Sequence, residues 1–260
     1  MRVDLDVHAW LLDTMRRVID RVGVDALHVP ELKPTRFEPA RRTLDGALKN
    51  ASRALGASLD VEVRTQTPAP GSADPLWPLG VTPSSVVFGV DAVRAHELAA
   101  VDVVRAVVAW YRSENDLVVH DPVEESRRID LTAIVFGFGP VVMDDARDEE
   151  REGRLTRGEA AHVLAARTIG RRAGFFAMWR TWSRLSRPNR VLLVGSLRAL
   201  IRPYGRLAWQ LRTPGGERFG PAGRLEVGED GVEEARPLFG GDTSWPDRPE
   251  GQGSGEGDKV

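Results

Sequence analysis

The five residues His96-Glu97-Leu98-Ala99-Ala100 fall one position short of the zinc motif HExxH. In that motif two histidines four apart share a helical face and hold the metal, while the glutamate activates the bound water. Here the second histidine is replaced by Ala100, and one imidazole alone does not hold a metal tightly. A solvated helix face is the competing account of the pair. His8, His28, His120 and His162 are scattered, without metal-ligand spacing to one another. His120 beside Asp121 invites an acid/base role, but no nucleophile or third partner accompanies it, and a loop dipeptide is the simpler reading. Glu124, Glu125 and Asp130 could act as paired carboxylates, although Arg127 and Arg128 beside them point to ordinary surface ion pairs. Gly137-Phe138-Gly139 lacks the third glycine and the preceding strand that nucleotide binding requires.

These residues need elements to hold them. Residues 7–22 place Trp10, Leu11, Met15, Val18, Ile19 and Val22 on one face, which predicts an amphipathic helix ending at Gly23. A second helix is expected over 43–55, after a proline-punctuated extended stretch at 29–39. Residues 59–63 alternate apolar and polar side chains, the period of a half-buried strand. Residues 67–83, with five prolines, read as a long loop, and the β-branched run 84–90 reads as a strand. Asp91 can then cap a helix over 92–111 that carries Val93, Leu98, Val101, Val104, Val108 and Tyr111 near one stripe. Residues 131–143 predict a core helix, despite a cost of roughly 1 kcal/mol for each of Gly137 and Gly139. Thr156 and Glu159 have the spacing of a capping box opening a helix through His162 and Ala166, with helices continuing to about residue 210 and a short strand at 225–227.

The order of these segments, with Asp121-Pro122-Val123-Glu124-Glu125-Ser126-Arg127-Arg128-Ile129-Asp130-Leu131-Thr132 and then Arg154-Leu155-Thr156-Arg157-Gly158-Glu159, resembles a group of bacterial zincin-type metallopeptidase proteins. The resemblance covers roughly residues 8 to 210. In that group an HELAH helix stands upstream of the Asp-Leu-Thr segment, and a glutamate four residues before the aspartate completes the zinc site. Carried onto this sequence, the first histidine falls on Ala106, the general-base glutamate on Val107, the second histidine on Trp110 and the downstream glutamate on Ser126. Only Asp130 keeps its counterpart, the carboxylate that orients a ligating imidazole. A shift of one residue would recruit Glu125 as an oxygen ligand, yet no histidine near position 106 joins it. Exchanging histidine for tryptophan and glutamate for valine turns a metal cavity into apolar packing. The resemblance therefore implies a degenerate member with no metal or other cofactor. A core helix of an unrelated helical protein is the alternative for 106–110.

Charge is distributed unevenly. The net charge is only -2, but residues 160–216 contain no Asp or Glu and eleven arginines, while 217–260 hold eleven acids against five bases. Such asymmetry points to nucleic acid, an anionic surface or an acidic partner. Within 175–190, Trp179 and Trp182 interleave with Arg180, Arg184 and Arg187, spaced to share one helical face that could bind phosphates, stack bases or enter a lipid interface. The competing expectation is that the aromatics pack the core while the arginines are solvated or meet the acids at 144–152 and in the tail. The acidic tail could also fold over the basic face, in which case deleting residues 240–260 should raise affinity for polyanions at low salt.

Composition bounds the rest. With 260 residues, 42% hydrophobic and 28% charged, the chain can bury a substantial core. It has no cysteine, which fits a reducing cytoplasm, and neither a basic-apolar leader nor an apolar run of about 18 residues, so no transmembrane segment is expected. The expected fold class is α+β, predominantly helical with a small β-sheet region and, by the resemblance, a zincin-like helical body. Residues 1–212 form one globular domain in this reading, followed by a Gly/Pro-rich acidic tail at 213–260, largely disordered after about 242. The expected function is a non-catalytic scaffold or protein-interaction module, with residues 175–212 and the pocket around Ala106, Trp110 and Asp130 as candidate surfaces. Binding to nucleic acid or an anionic membrane surface through residues 167–212 is one alternative, and a cryptic metal-dependent hydrolase using His96, Glu97 and Glu125 is the other.

Overall fold

The computed structural model describes residues 5–57, 60–67, 74–81, 85–149, 151–171 and 175–201, together with two short paired segments, 219–220 and 224–225. The expected disorder of the tail, and helices beyond residue 201, lie outside the described residues. The architecture is α+β and mainly helical, with one small three-stranded sheet.

Helix α1 (Leu5–Val22) follows the predicted amphipathic stripe, burying Leu11, Met15, Val18 and Ile19. It stops at Gly23, whose positive φ of 92° permits the chain to leave the helix. Helix α2 (Leu44–Ala54) starts at Thr43, whose side chain accepts a hydrogen bond from the Gly46 N–H. The sheet has β3 (Ser85–Val90) at its centre, parallel to β1 (Asp60–Thr65) and antiparallel to β2 (Leu76–Val81). Its central strand reads as a nearly continuous apolar run because it is covered on both faces. Strand β2 lies inside the stretch expected to be a loop. Its prolines mislead because Pro78 sits on an edge strand beside a register shift, where a missing N–H is tolerated. Trp77 crosses its neighbour at Gly89, where a Cβ would lie 2.7 Å from the indole.

Helix α3 (Ala100–Glu114) packs against β2, and α2 packs against β1. The expected helix over 92–111 begins later than its apolar stripe suggested: Asp91 accepts from the Val93 N–H in a turn, and residues Ala95–Glu97 form a 3-10 turn. Val93, counted in that stripe, is exposed. Helix α4 (Pro122–Ala133) follows, capped by the Asp121 carboxylate, which accepts from the Val123 and Glu124 N–H groups at 2.9 and 3.3 Å.

The predicted continuous helix over 131–143 is broken. After α4 the chain makes a π-helical turn at Ile134–Phe138, Gly137 adopts a φ of 89°, and α5 (Gly139–Asp145) begins on the far side. A Cβ at Gly137 would lie 2.7 Å from the Pro30 carbonyl oxygen, so the glycine admits both the turn and the crossing chain. The Gly137 carbonyl accepts from the Leu32 N–H at 2.8 Å, tying the extended N-terminal stretch to the break.

Helix α6 (Arg157–Gly170) opens on the predicted capping box: Thr156 accepts from the Glu159 N–H and Glu159 accepts from the Thr156 N–H. It is buried along nearly its whole circumference, between α1, α5, the π turn and α8 (Arg187–Ile201), which explains its weak amphipathicity. Between α6 and α8 lies α7 (Phe175–Ser183). The segments Phe219–Gly220 (β4) and Arg224–Leu225 (β5) pair antiparallel, so a short strand does occur near the predicted one, shifted toward the N-terminus.

Candidate functional site

Helix α3 is rich in valine, with Val103, Val104, Val107 and Val108 all buried, each contributing roughly 1.5–3 kcal/mol by leaving water. Arg105 and Arg112 stand seven residues, two helical turns, apart in that apolar run and are buried to 2% and 1% exposure. Burial of a charge is costly unless it is paired, and both arginines meet partners on α4.

Arg105 donates to the Asp130 carboxylate, to the Ser126 hydroxyl at 2.6 Å and to the Ser126 carbonyl at 3.3 Å, while Asp74 stands 3.4 Å from its Nε. Burial alone would push this guanidinium down, but the Asp130 and Asp74 carboxylates raise it. Ser126 and Asp130 are four apart, on one face of α4, which lets one side chain reach both. The turn before α6 closes over the same carboxylate: Asp130 also accepts from the Leu155 N–H at 3.2 Å and lies 3.2 Å from Arg154 Nε. Arg112 makes a two-pronged contact with Glu125 at 2.7 and 2.8 Å, and also donates to Thr132 and the Leu117 carbonyl. Glu125 accepts in addition from the Val119 N–H at 3.0 Å.

The positions onto which the resemblance carries a zinc site sit as follows. Ala106, Val107 and Trp110 are buried, as is Asp130, so the expected interaction surface around Ala106, Trp110 and Asp130 is an interior instead. The reason is the arginine network, which seals α3 against α4. The Trp110 indole N–H has no acceptor there. His96 and Glu97 lie on the 3-10 turn before α3, not on a helix face, and are 75% and 67% exposed with 3.6 Å between them. Glu124, Glu125 and Asp130 are not surface pairs of their sequence neighbours alone. Arg128 does pair with Glu124 one turn away, but Arg127 reaches Glu159 on α6 at 2.6 Å and Glu125 is taken by Arg112.

Two buried groups escaped sequence reasoning. His8 on α1 and His162 on α6, which looked merely scattered, meet with His8 Nδ1 and His162 Nε2 2.5 Å apart. Burial lowers His8 to about 4, and burial together with the His8 charge lowers His162 to about 3, so both imidazoles are neutral. Among the described residues no three His, Cys, Asp or Glu side chains gather as a metal site. The second group is Glu31, which contacts Arg167. Arg167 also donates to the Val135 carbonyl at 2.8 Å and to the Val29 carbonyl, fastening the extended stretch to the π turn. Burial pushes the Glu31 carboxyl up and the Arg167 guanidinium down, and their contact opposes both effects.

On the outer side of α1 and α4 an open groove of about 350 Å³ is lined by Asp6, Val7, Trp10, Asp121, Val123, Glu124 and Arg127. The Arg127 guanidinium stacks 4.6 Å from the Trp10 ring centroid, while the Trp10 N–H points at Glu124, 3.4 Å away.

The Arg/Trp segment also differs from expectation. Trp179 and Trp182 do not pack the core; they are 58% and 45% exposed. Arg180, Arg184 and Arg187 do not share one helix, because α7 ends at Ser183 and α8 starts at Arg187. Pro188 explains the restart, fitting the first turn of a new helix but not the interior of a continuous one. The acids at 144–152 engage other groups: Asp144 accepts from Asn189, Asp145 pairs with Arg154, and Asp148 with Arg157.

Compared with models of protein families, with curated proteins and with solved structures, the chain finds no match in any of the three.

Proposed function

We propose that this chain is a non-catalytic scaffold or protein-interaction module built on a degenerate zincin-type metallopeptidase plan. The observation that carries the reading is Arg105. Its guanidinium joins Ser126 and Asp130, the two positions onto which the resemblance carries the downstream zinc ligand and the orienting carboxylate. A zinc site needs a cation beside that carboxylate; here the cation is a side chain of the protein. Ala106 and Val107 offer no lone pair to a metal, and the Trp110 indole is a donor only. The cryptic-hydrolase alternative draws less support, since Glu125 is held by two bonds from Arg112 and His96 is a surface residue.

Elemental analysis of the untagged, natively purified protein tests the proposal, with His96→Ala and His8→Ala as controls. The expected result is metal well below one equivalent. One equivalent of zinc that disappears in either control would overturn the proposal and direct attention to peptidase assays.

A further inference from the structure

Helix α7 carries Trp179 and Trp182 three residues apart, hence on one side, with both indoles largely in water. Arg180 lies between them and is exposed. Immediately after the helix the chain turns, with the Arg184 N–H donating to the Thr181 carbonyl, and Arg184 becomes half-buried. One terminal nitrogen of Arg184 is out of water and has no hydrogen-bond acceptor.

More arginines come from elsewhere in the chain. Arg36, on the 3-10 turn Pro34–Arg36, and Arg180 both lie near enough to Arg184 to press its guanidinium down, after burial itself. Arg171, at the end of α6, acts on Glu31 and Arg167 in the same neighbourhood. The carboxylate nearby is Glu31, already engaged by Arg167. No acid occurs anywhere in 160–216, and among the described residues Arg36, Arg171, Arg180 and Arg184 make no ion pair with a carboxylate. Among the described residues, then, four cations share only Glu31 as a neighbouring carboxylate and stand near two exposed indoles, an arrangement that suits a ligand with both anionic groups and an apolar phase.

We propose that α7 and the turn after it, with Arg36 and Arg171 beside them, dock on an anionic lipid surface, the arginines on phosphate headgroups and Trp179 and Trp182 at the interfacial level. Tryptophan favours that level because its ring is apolar and its N–H is not. Single-stranded nucleic acid would also offer phosphates and stacking partners. The lipid is favoured by Val191 on α8, 68% exposed and one turn from Arg187, an aliphatic side chain that can enter acyl chains but provides no face for a base. Among the described residues no helix is long and apolar enough to cross a membrane, so the contact is peripheral.

The test is sedimentation of the full chain with phosphatidylglycerol/phosphatidylcholine vesicles and with phosphatidylcholine vesicles, following tryptophan emission, and with a single-stranded oligonucleotide as comparator. Binding to the anionic vesicles alone is expected, weakened by salt and accompanied by a blue shift. Arg36→Gln with Arg180→Gln, both at exposed positions, should weaken binding by roughly twenty-five-fold, given about fivefold for each arginine at an anionic surface. Trp179→Ala with Trp182→Ala should remove most of the blue shift. The proposal is overturned by equal binding to neutral vesicles, by absence of vesicle binding, by variants that bind like the parent, or by an oligonucleotide bound more tightly than the vesicles.

Discussion

Between α3 and α4, Arg105 and Arg112 lie almost wholly out of water and each meets a carboxylate, whereas Arg36, Arg171, Arg180 and Arg184 gather near α7 with no ion pair among the described residues. The same side chain serves two ends. In the interior it is a structural cation whose N–H groups meet carboxylate, hydroxyl and carbonyl oxygens, and its removal should harm folding. Around α7 the exposed Arg36 and Arg180 should contribute little to folding and leave charge available to a ligand. A net charge of -2 conceals both uses, because pairing is a property of position.

The comparison breaks first if the interior tolerates another charge. Val107→Glu puts a carboxylate at a site with 0% exposure and should cost about 3–5 kcal/mol in denaturant unfolding. A loss under about 1 kcal/mol would mean that the interior is not sealed.

Next in size is the pH dependence. The folded His8 and His162 bind protons more weakly than the unfolded chain, whose histidines titrate near 6.5. Stability from the pair is therefore fully present above about pH 6.5 and declines as pH falls toward about 4. For His8 the loss amounts to about 3 kcal/mol, and His8→Leu should flatten that part of the curve in chemical denaturation across pH. An unchanged curve would place the proton uptake elsewhere.

A smaller effect is expected at the π turn. Gly137→Ala puts a Cβ against the Pro30 carbonyl in a left-handed conformation, and should lower stability by about 1–3 kcal/mol without altering vesicle binding. Smallest is Trp179→Ala with Trp182→Ala, which should change stability by no more than about 0.5 kcal/mol for each exposed side chain. A large loss there would make the α7 face structural and erase the contrast with the interior.

Much of the scaffold was legible because its signals are local. The stripe of α1, the place of α2, the Thr156 cap and the central strand all depend on residues within a few positions. The misread places depend on neighbours distant in sequence. Gly137 looks tolerable in a helix until Pro30 crosses it, and Pro78 looks like a loop residue until its strand proves to be an edge. The His8–His162 contact spans 154 residues and leaves no local trace. Arg105 did leave one: it stands two turns from Arg112 in a run of valines, a spacing that demands buried partners. Ser126 and Asp130 are visible in the sequence as a four-residue pair, but the arginine joining them stands 21 and 25 residues away on another helix.

Arg105 and Asp130 neutralise one another inside the protein, and a double-mutant cycle measures that dependence. Arg105→Met and Asp130→Asn are made singly and together, and unfolding free energies are measured in denaturant. Each single change should cost about 3–5 kcal/mol by taking from a buried charge its closest partner, with only Asp74 or Arg154 left beside it, and the double should cost at least about 2 kcal/mol less than the sum. Additivity within about 0.5 kcal/mol would contradict the account, because it would mean that the two charges do not depend on each other.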